Sequence, residues 1–108
     1  MANEQAPRPQ AMPAKDVFVS YASQDKAVAD AVVAALERAG LRCWIAPRDV
    51  TPGAHYADEI ISAITGARAL ILVLSDSALT SKHVGKEVER ASSKGRPIIA
   101  WTYCWLTI

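Results

Sequence analysis

The run of residues from 69 to 75, ALILVLS, most constrains the fold that this chain can adopt. Its apolar residues follow one another without the alternation of apolar and polar positions that marks a strand with one solvent-exposed face. A strand that is apolar on both faces lies in the middle of a parallel sheet, where helices cover both of its sides. The run therefore predicts an α/β fold in which residues 69–75 form an inner strand.

Strand-like and helix-like segments alternate along the rest of the chain. Strands are predicted at residues 17–20, 42–45, 69–75 and 97–101, and helices at residues 56–65 and 82–94. A further helix follows the first strand, with Ser23 or Asp25 as its cap and Gly40 just beyond its end. This βαβαβαβ order predicts a flavodoxin-like parallel sheet with helices on both faces.

Length, charge and cysteine content exclude several classes of protein. The chain has 108 residues and a formal net charge of +1, which predicts one domain without a basic surface for nucleic acid or membranes. No run of about 18 apolar residues is present to span a membrane. Cys43 and Cys104 lack metal-site or disulfide spacing, so a reducing cytoplasmic location is expected. Residues 1–14, rich in proline, are predicted to be a disordered leader before a domain at residues 15–108.

A ligand site is predicted at one edge of the sheet. Open α/β sheets bind ligands beyond the carboxyl ends of their strands. In this chain those ends are followed by Ser20 and Tyr21, by the loop of residues 46–54, and by Ser75 and Asp76. Because parallel strands share the same direction, these segments are expected to converge.

The helix that follows the third strand carries a candidate catalytic carboxylate. At about 100° per residue, Glu87 lies about 60° from Val84, on the shoulder of the apolar stripe, whereas Glu89 points outward. A half-buried carboxylate near strand ends is a candidate for catalysis. The alternative is a glutamate at the edge of the core that pairs with Lys86 or Arg90.

The loop after the second strand combines charge with restricted backbone freedom. Arg48 and Asp49 lie between Pro47 and the pair Pro52–Gly53. Because proline fixes one backbone dihedral, a projecting loop of this kind keeps a defined shape. It is interpreted as a docking finger or a pocket lid, or else as a rigid connector.

Other chemistries receive less support from the sequence. Glycine-rich phosphate-binding motifs are absent from the chain. Ser20 and Ser75 have no evident partners for a hydrolase triad, and a phosphoacceptor of the receiver type lacks its acidic pocket. His55 and His83 do not have the spacing of metal ligands, so no metal site is predicted and both are expected at the surface.

Three ordered segments together resemble the TIR domain family. KDVFVSYASQDK at residues 15–26 matches the first family box, and IAPRDVTPGAHYADEI at residues 45–60 resembles the second, the BB loop. Residues 69–91 resemble the third strand and the helix after it. The resemblance covers residues 15–100, and the form SKHVGKEVERA is similar to bacterial members.

This resemblance implies an activity. Enzymatic TIR domains cleave NAD+ at the nicotinamide–ribose bond with a glutamate at the position of Glu87. NAD+ is then a substrate, and no cofactor is implied. His83 stands where enzymatic relatives often carry tryptophan. The residues expected to contact NAD+ are Phe18, Ser20, Tyr21, Ser75, Asp76 and His83.

The resemblance also implies contacts with other TIR domains, in a homo-oligomer that activates the enzyme. As an alternative, the chain is a non-catalytic TIR–TIR interaction module in signal transduction. In either case the BB-loop contacts are Pro47, Arg48, Asp49, Pro52 and Gly53. The family normally continues with a fifth strand and a last helix, which this chain is expected to lack. Its alternating aromatic end, residues 101–108, predicts self-association there.

Overall fold

The computed structural model describes residues 15–53 and 55–102, and the predicted leader and residues 103–108 lie outside this part. Its four strands are β1 (Val17–Ser20), β2 (Cys43–Trp44), β3 (Ala69–Leu74) and β4 (Ile98–Thr102). They form one parallel sheet in the order β2-β1-β3-β4. The predicted α/β architecture is therefore confirmed, with β3 inside the sheet between β1 and β4.

Within residues 15–53 and 55–102, four helices connect or follow these strands: α1 (Lys26–Arg38), α2 (Tyr56–Gly66), α3 (Asp76–Leu79) and α4 (Lys82–Ser93). A 3-10 turn, Ser23–Asp25, precedes α1. None of the helices in the described part of the chain is long and apolar enough to cross a membrane.

The alternation of side chains along each strand divides the core into two layers. On one face of the sheet, α1 packs through Ala29, Val32 and Val33 against Val17 and Val19 of β1. On the other face, α2 and α4 cover the residues in between. This second layer consists of Phe18, Trp44, Ile60, Ile64, Ala67, Leu70 and Ala91. Phe18 and Trp44 stack there with ring centroids 5.1 Å apart, which fixes β2 against β1.

The end of β3 differs from the prediction. The strand ends at Leu74, one residue early, because Ser75 caps the short helix α3, which the sequence did not predict. The hydroxyl of Ser75 accepts a hydrogen bond from the Ala78 amide at 3.0 Å. A serine before a short polar segment offers this alternative to continued strand pairing.

The start of α1 also differs. Asp25 occupies the N-cap position, as one of the two predicted alternatives, but its side chain makes no capping hydrogen bond. Instead its carboxylate accepts a hydrogen bond from the hydroxyl of Ser75. The two differences have one cause, because Ser75 connects the loop after β1 to the start of α3.

Strand β4 is the exposed edge of the sheet within the described residues. All five of its residues are exposed, among them Ile98, Ile99 and Trp101 at 38, 52 and 38 %. It begins at Ile98 because Pro97 lacks an N–H, although the Pro97 carbonyl still accepts from Leu70. The predicted aromatic self-association segment is thus described only as far as Thr102.

Candidate active site

A cavity of about 350 Å³ lies at the carboxyl end of the sheet. The end of β1, the loop after β2, the start of α2 and the segment from α3 to α4 all contribute to it. Its lining residues are Phe18, Val19, Tyr21, Ser23, Gln24, Ala46, Pro47, Tyr56, Ser77, Thr80, Ser81, His83 and Glu87. The convergence of these loops is the arrangement that parallel strand direction predicts.

Glu87 is half-buried in this cavity, on the shoulder of α4. Its Oε1 accepts a hydrogen bond from the Ser20 hydroxyl at 2.7 Å. Burial raises the pKa of Glu87 from 4.5 to about 7, and the Ser20 hydrogen bond acts in the opposite direction. Both the protonated and the ionised carboxyl group are therefore populated near neutral pH.

Local sequence explains how this pair is placed. Ser81 caps α4, its hydroxyl accepting from the Val84 amide at 3.2 Å, and Val84 and Ala91 anchor the helix in the core. Glu87 follows Val84 by three residues and so faces the sheet obliquely. Ser20 shares a sheet face with Phe18, two residues earlier, and therefore points toward the same helix.

Two tyrosines form aromatic parts of the wall. The Tyr21 hydroxyl donates a hydrogen bond to the carbonyl of Ala46, which ties the loop after β1 to the loop after β2. Tyr56, at the first position of α2, is 49 % exposed and lines the cavity from the opposite element. Burial raises the pKa of both phenols, and the charge of Glu87 adds to the effect on each, so both remain neutral hydroxyl groups at physiological pH.

Several predicted substrate contacts lie outside the cavity lining. Asp76 is exposed at the start of α3, and the Ser75 hydroxyl is occupied by Asp25 and the Ala78 amide. Neither residue lines the cavity, and their contact with substrate stays a prediction. Ser20 also lies behind the lining, fully buried, and reaches the cavity only through Glu87.

The loop after β2 is held by its own charged residues. Arg48 donates to Glu37 and to the carbonyl of Cys43, both at 2.9 Å, and it pairs with Asp49. These carboxylates raise the pKa of Arg48 above its usual range. Asp49 in turn accepts from the Ile45 amide at 2.9 Å. The pair predicted to contact a partner therefore makes its hydrogen bonds inside the domain.

The second half of this loop is fastened to α2. The Thr51 amide and hydroxyl donate to the two oxygens of Glu59 at 2.5 and 2.6 Å. Pro52 and Gly53, which follow these two hydrogen bonds, are exposed, and Gly53 has a φ of +83°. Glycine suits this left-handed conformation because it has no Cβ. Of the predicted loop contacts, Pro47 lines the cavity and Pro52–Gly53 forms the exposed tip.

Sequence reasoning missed most of the cavity's hydroxyl groups and Tyr56. The hydroxyls of Ser77, Thr80 and Ser81 come from the α3–α4 segment, which was not predicted to fold back over the strand ends. Tyr56 carried a usable signal, because it begins the helix directly after the predicted lid loop and therefore lies at the same edge of the sheet.

A smaller groove of about 180 Å³ adjoins the cavity between α2 and α4. It shares Tyr56, His83 and Glu87 with the cavity, and Lys86 and Arg90 also line it. His83 and His55 are exposed, as predicted. Within residues 15–53 and 55–102, no group of three or more His, Cys, Asp or Glu side chains is placed to hold a metal ion.

Fold and site together define an α/β domain with a carboxylate-bearing ligand cavity at the carboxyl ends of its parallel strands. The model of one family, described as the TIR domain, matches residues 17–103. The chain therefore belongs to the TIR domain family, as its three segments indicated.

Individual relatives agree with this assignment. The chain is 36 % identical over 83 residues to the interleukin-18 receptor accessory protein of Mus musculus, covering 64 % of this chain and 14 % of the relative. It is 33 % identical over 84 residues to mouse Toll-like receptor 12, covering 72 % and 9 %. The chain thus spans a small part of these curated relatives.

Solved structures show the same fold. The TIR domain of the Toll-related receptor TRR-2 from Hydra magnipapillata superposes with a TM-score of 0.72 at 32 % identity, covering 80 % of this chain and 68 % of that one. A metazoan TIR-STING receptor from C. gigas gives 0.72 at 24 % identity, covering 91 % and 34 %. These relatives are metazoan, so the bacterial subtype stays a prediction.

Proposed function

We propose that this TIR domain is an NAD+ glycohydrolase that cleaves the nicotinamide–ribose bond, with Glu87 as its catalytic carboxylate. The observation that carries the proposal is the place of Glu87, half-buried in a cavity at the strand ends and held by Ser20 at 2.7 Å. Perturbed carboxyl groups in such cavities are candidates for catalysis. NAD+ is the substrate here, and the reaction calls for no cofactor.

The chemistry suits a single carboxylate. When the bond between C1′ and the pyridinium nitrogen breaks, the electron pair stays on nitrogen and nicotinamide leaves as a neutral molecule, so no general acid is needed. Positive charge develops on the ribose, and an ionised Glu87 close to it stabilises that charge. Water then bonds to C1′ and loses a proton, which gives ADP-ribose.

Other cavity residues would bind the substrate. Tyr21 and Tyr56 offer aromatic surface for a planar cationic ring, and stacking a cation on such rings is favourable. Phe18, 1 % exposed and stacked on Trp44, supports the cavity wall from behind. His83 contributes a smaller ring from α4.

The hydroxyls of Ser77, Thr80 and Ser81 also line the cavity. Ser81 accepts from the Val84 amide and can still donate to the ligand, whereas Thr80 donates to the Ser77 carbonyl and can still accept.

The wider context of this activity is part of the proposal. The enzyme would act in bacterial signalling or defence in the cytoplasm, in a homo-oligomer that activates it, without nucleic acid or membrane as partner. The exposed tip Pro52–Gly53 supports contact with a neighbouring TIR domain, because the fastened root of the loop holds this tip in a defined position.

Nicotinamide release from NAD+ tests the proposal. Purified protein is compared with Glu87→Ala and with Glu89→Ala, a control on the exposed side of the same helix. Loss of about 100-fold or more in Glu87→Ala alone is expected. Equal release by Glu87→Ala and the unmodified protein would exclude Glu87 as the catalytic group.

A second function is a non-catalytic TIR–TIR interaction module, favoured by the same exposed loop tip. Self-association is measured by sedimentation for the unmodified protein and for Pro52→His. Absence of turnover even in concentrated or crowded protein, together with association that Pro52→His abolishes, would favour this function over catalysis.

A further inference from the structure

The contact between Ser20 and Glu87 joins two elements that are far apart in sequence. Ser20 ends β1 and is 0 % exposed, whereas Glu87 lies on α4. A buried hydroxyl without a partner costs stability, so a serine here calls for an acceptor. That acceptor is Oε1 of Glu87, at 2.7 Å.

We propose that Ser20 is a positioning residue, whose buried hydroxyl holds Oε1 of Glu87 and leaves Oε2 for the substrate. This inference rests on the proposed function and replaces the expectation that Ser20 itself contacts NAD+. Among the described residues, Ser20 is the donor to this carboxylate, and no hydrogen bond to Oε2 is formed. A carboxyl group fixed through one oxygen keeps the other in a constant place, which is how neighbouring groups preorganise a catalytic side chain.

The same hydrogen bond favours the ionised carboxylate over the acid. The other titratable groups around Glu87 do not take the place of the Ser20 hydrogen bond. Tyr21 after β1 and Tyr56 on α2 are neutral phenols. His83, Lys86 and Arg90 line the adjoining surface from α4. Since Glu87 receives no ion pair within the described part of the chain, Ser20 is the group that opposes the effect of burial.

Replacing Ser20 separates positioning from mere packing. In Ser20→Ala the pKa of Glu87 is expected to rise by about one unit, because a hydrogen bond to the charged form is lost. Carbon-13 NMR titration of the Glu87 carboxyl group measures this in the free protein, without any turnover. In the nicotinamide-release assay, the pH at which kcat/KM reaches half of its maximum is expected to move upward by the same amount.

Two further variants serve as comparisons. Ser20→Thr keeps the hydroxyl and is expected to restore the titration toward that of the unmodified protein. Ser75→Ala removes another part-buried hydroxyl that donates to a carboxylate, that of Asp25, and is expected to leave the titration of Glu87 unchanged. If Ser20→Ala does not fold, Ser20→Val, which has the shape of Ser20→Thr but no hydroxyl, takes its place.

The outcomes distinguish this inference from the proposed function. A Glu87 titration that is the same in Ser20→Ala, or in Ser20→Val, and in the unmodified protein overturns the positioning role. So does a loss of activity without movement of the pH profile, which would show that Ser20 supports only the fold. If Ser20→Ala shifts the Glu87 titration but the unmodified protein releases no nicotinamide, the contact is supported and the proposed activity is refuted.

Discussion

Replacing Glu87 by glutamine is expected to stabilise the domain while it removes the carboxylate. Burial raises the pKa of Glu87 from 4.5 to about 7, so between these values the folded state binds a proton more tightly than the unfolded state. The free energy of unfolding therefore falls as pH rises through this window. The contribution of the protonated Glu87 side chain is fully lost above pH 7. At 1.36 kcal/mol per pKa unit, the ionised side chain costs about 3 kcal/mol at pH 8.5.

Glutamine at this position is neutral at every pH and still accepts the hydrogen bond from Ser20. Urea denaturation gives the free energy of unfolding of Glu87→Gln and of the unmodified protein. The value for Glu87→Gln minus that for the unmodified protein is expected to be about 3 kcal/mol larger at pH 8.5 than at pH 4.5. Glu89→Gln, on the exposed side of α4, is expected to change stability by at most about 0.5 kcal/mol at both values. A difference for Glu87→Gln that does not depend on pH would refute the reasoning.

Three further predictions concern the loop and the core. Arg48→Ala removes the hydrogen bonds to Glu37 and to the Cys43 carbonyl, and because the ion pair is largely exposed, urea denaturation should show a loss of about 1 kcal/mol. Glu59→Ala frees the Thr51 amide, so hydrogen exchange of that amide should become faster while the core amides stay protected. Ile64→Ala empties a site that is 1 % exposed and should cost about 2–5 kcal/mol in the same denaturation assay.

The sheet could be predicted because its signals are local. The apolar run at residues 69–75 and the helical spacing around Val84 each depend only on neighbouring residues, and both appear in the structure. The half-buried place of Glu87 followed from the same spacing. Its partner, Ser20, is 67 positions away, and only the register of β1 against β3 and the packing of α4 bring the two together.

The loop after β2 shows why side-chain roles are harder to predict. Its composition suggested a pair of free charges, yet Arg48 turns back to Glu37 on α1. The position of Glu37 relative to the loop depends on how α1 packs, which the loop sequence does not encode. Ser75 is a similar case, because its donation to Asp25 requires α3, a helix too short for periodicity to indicate.

Under the proposed function, binding of NAD+ is expected to release a proton from Glu87. With a pKa of about 7, roughly half of the Glu87 side chains carry a proton at pH 7. A nicotinamide ring bears a positive charge, and an opposite charge within a few ångströms favours the ionised carboxylate. The substrate would therefore ionise the group that the reaction needs, and up to about half a proton per site should leave at pH 7.

Calorimetry of an uncleavable carbocyclic NAD+ analogue, in buffers of different ionisation enthalpy, measures the number of protons released. Glu87→Gln should bind the analogue without the release that Glu87 provides, and ADP-ribose, which lacks the cationic ring, should cause less release from the unmodified protein. In Ser20→Ala, more of the Glu87 side chains carry a proton at pH 7 before binding. This variant should release fewer protons on binding only if the Glu87 carboxyl group remains protonated in the complex. Analogue binding to the unmodified protein with no proton release at pH 7 would show that the cationic ring does not lie beside Glu87.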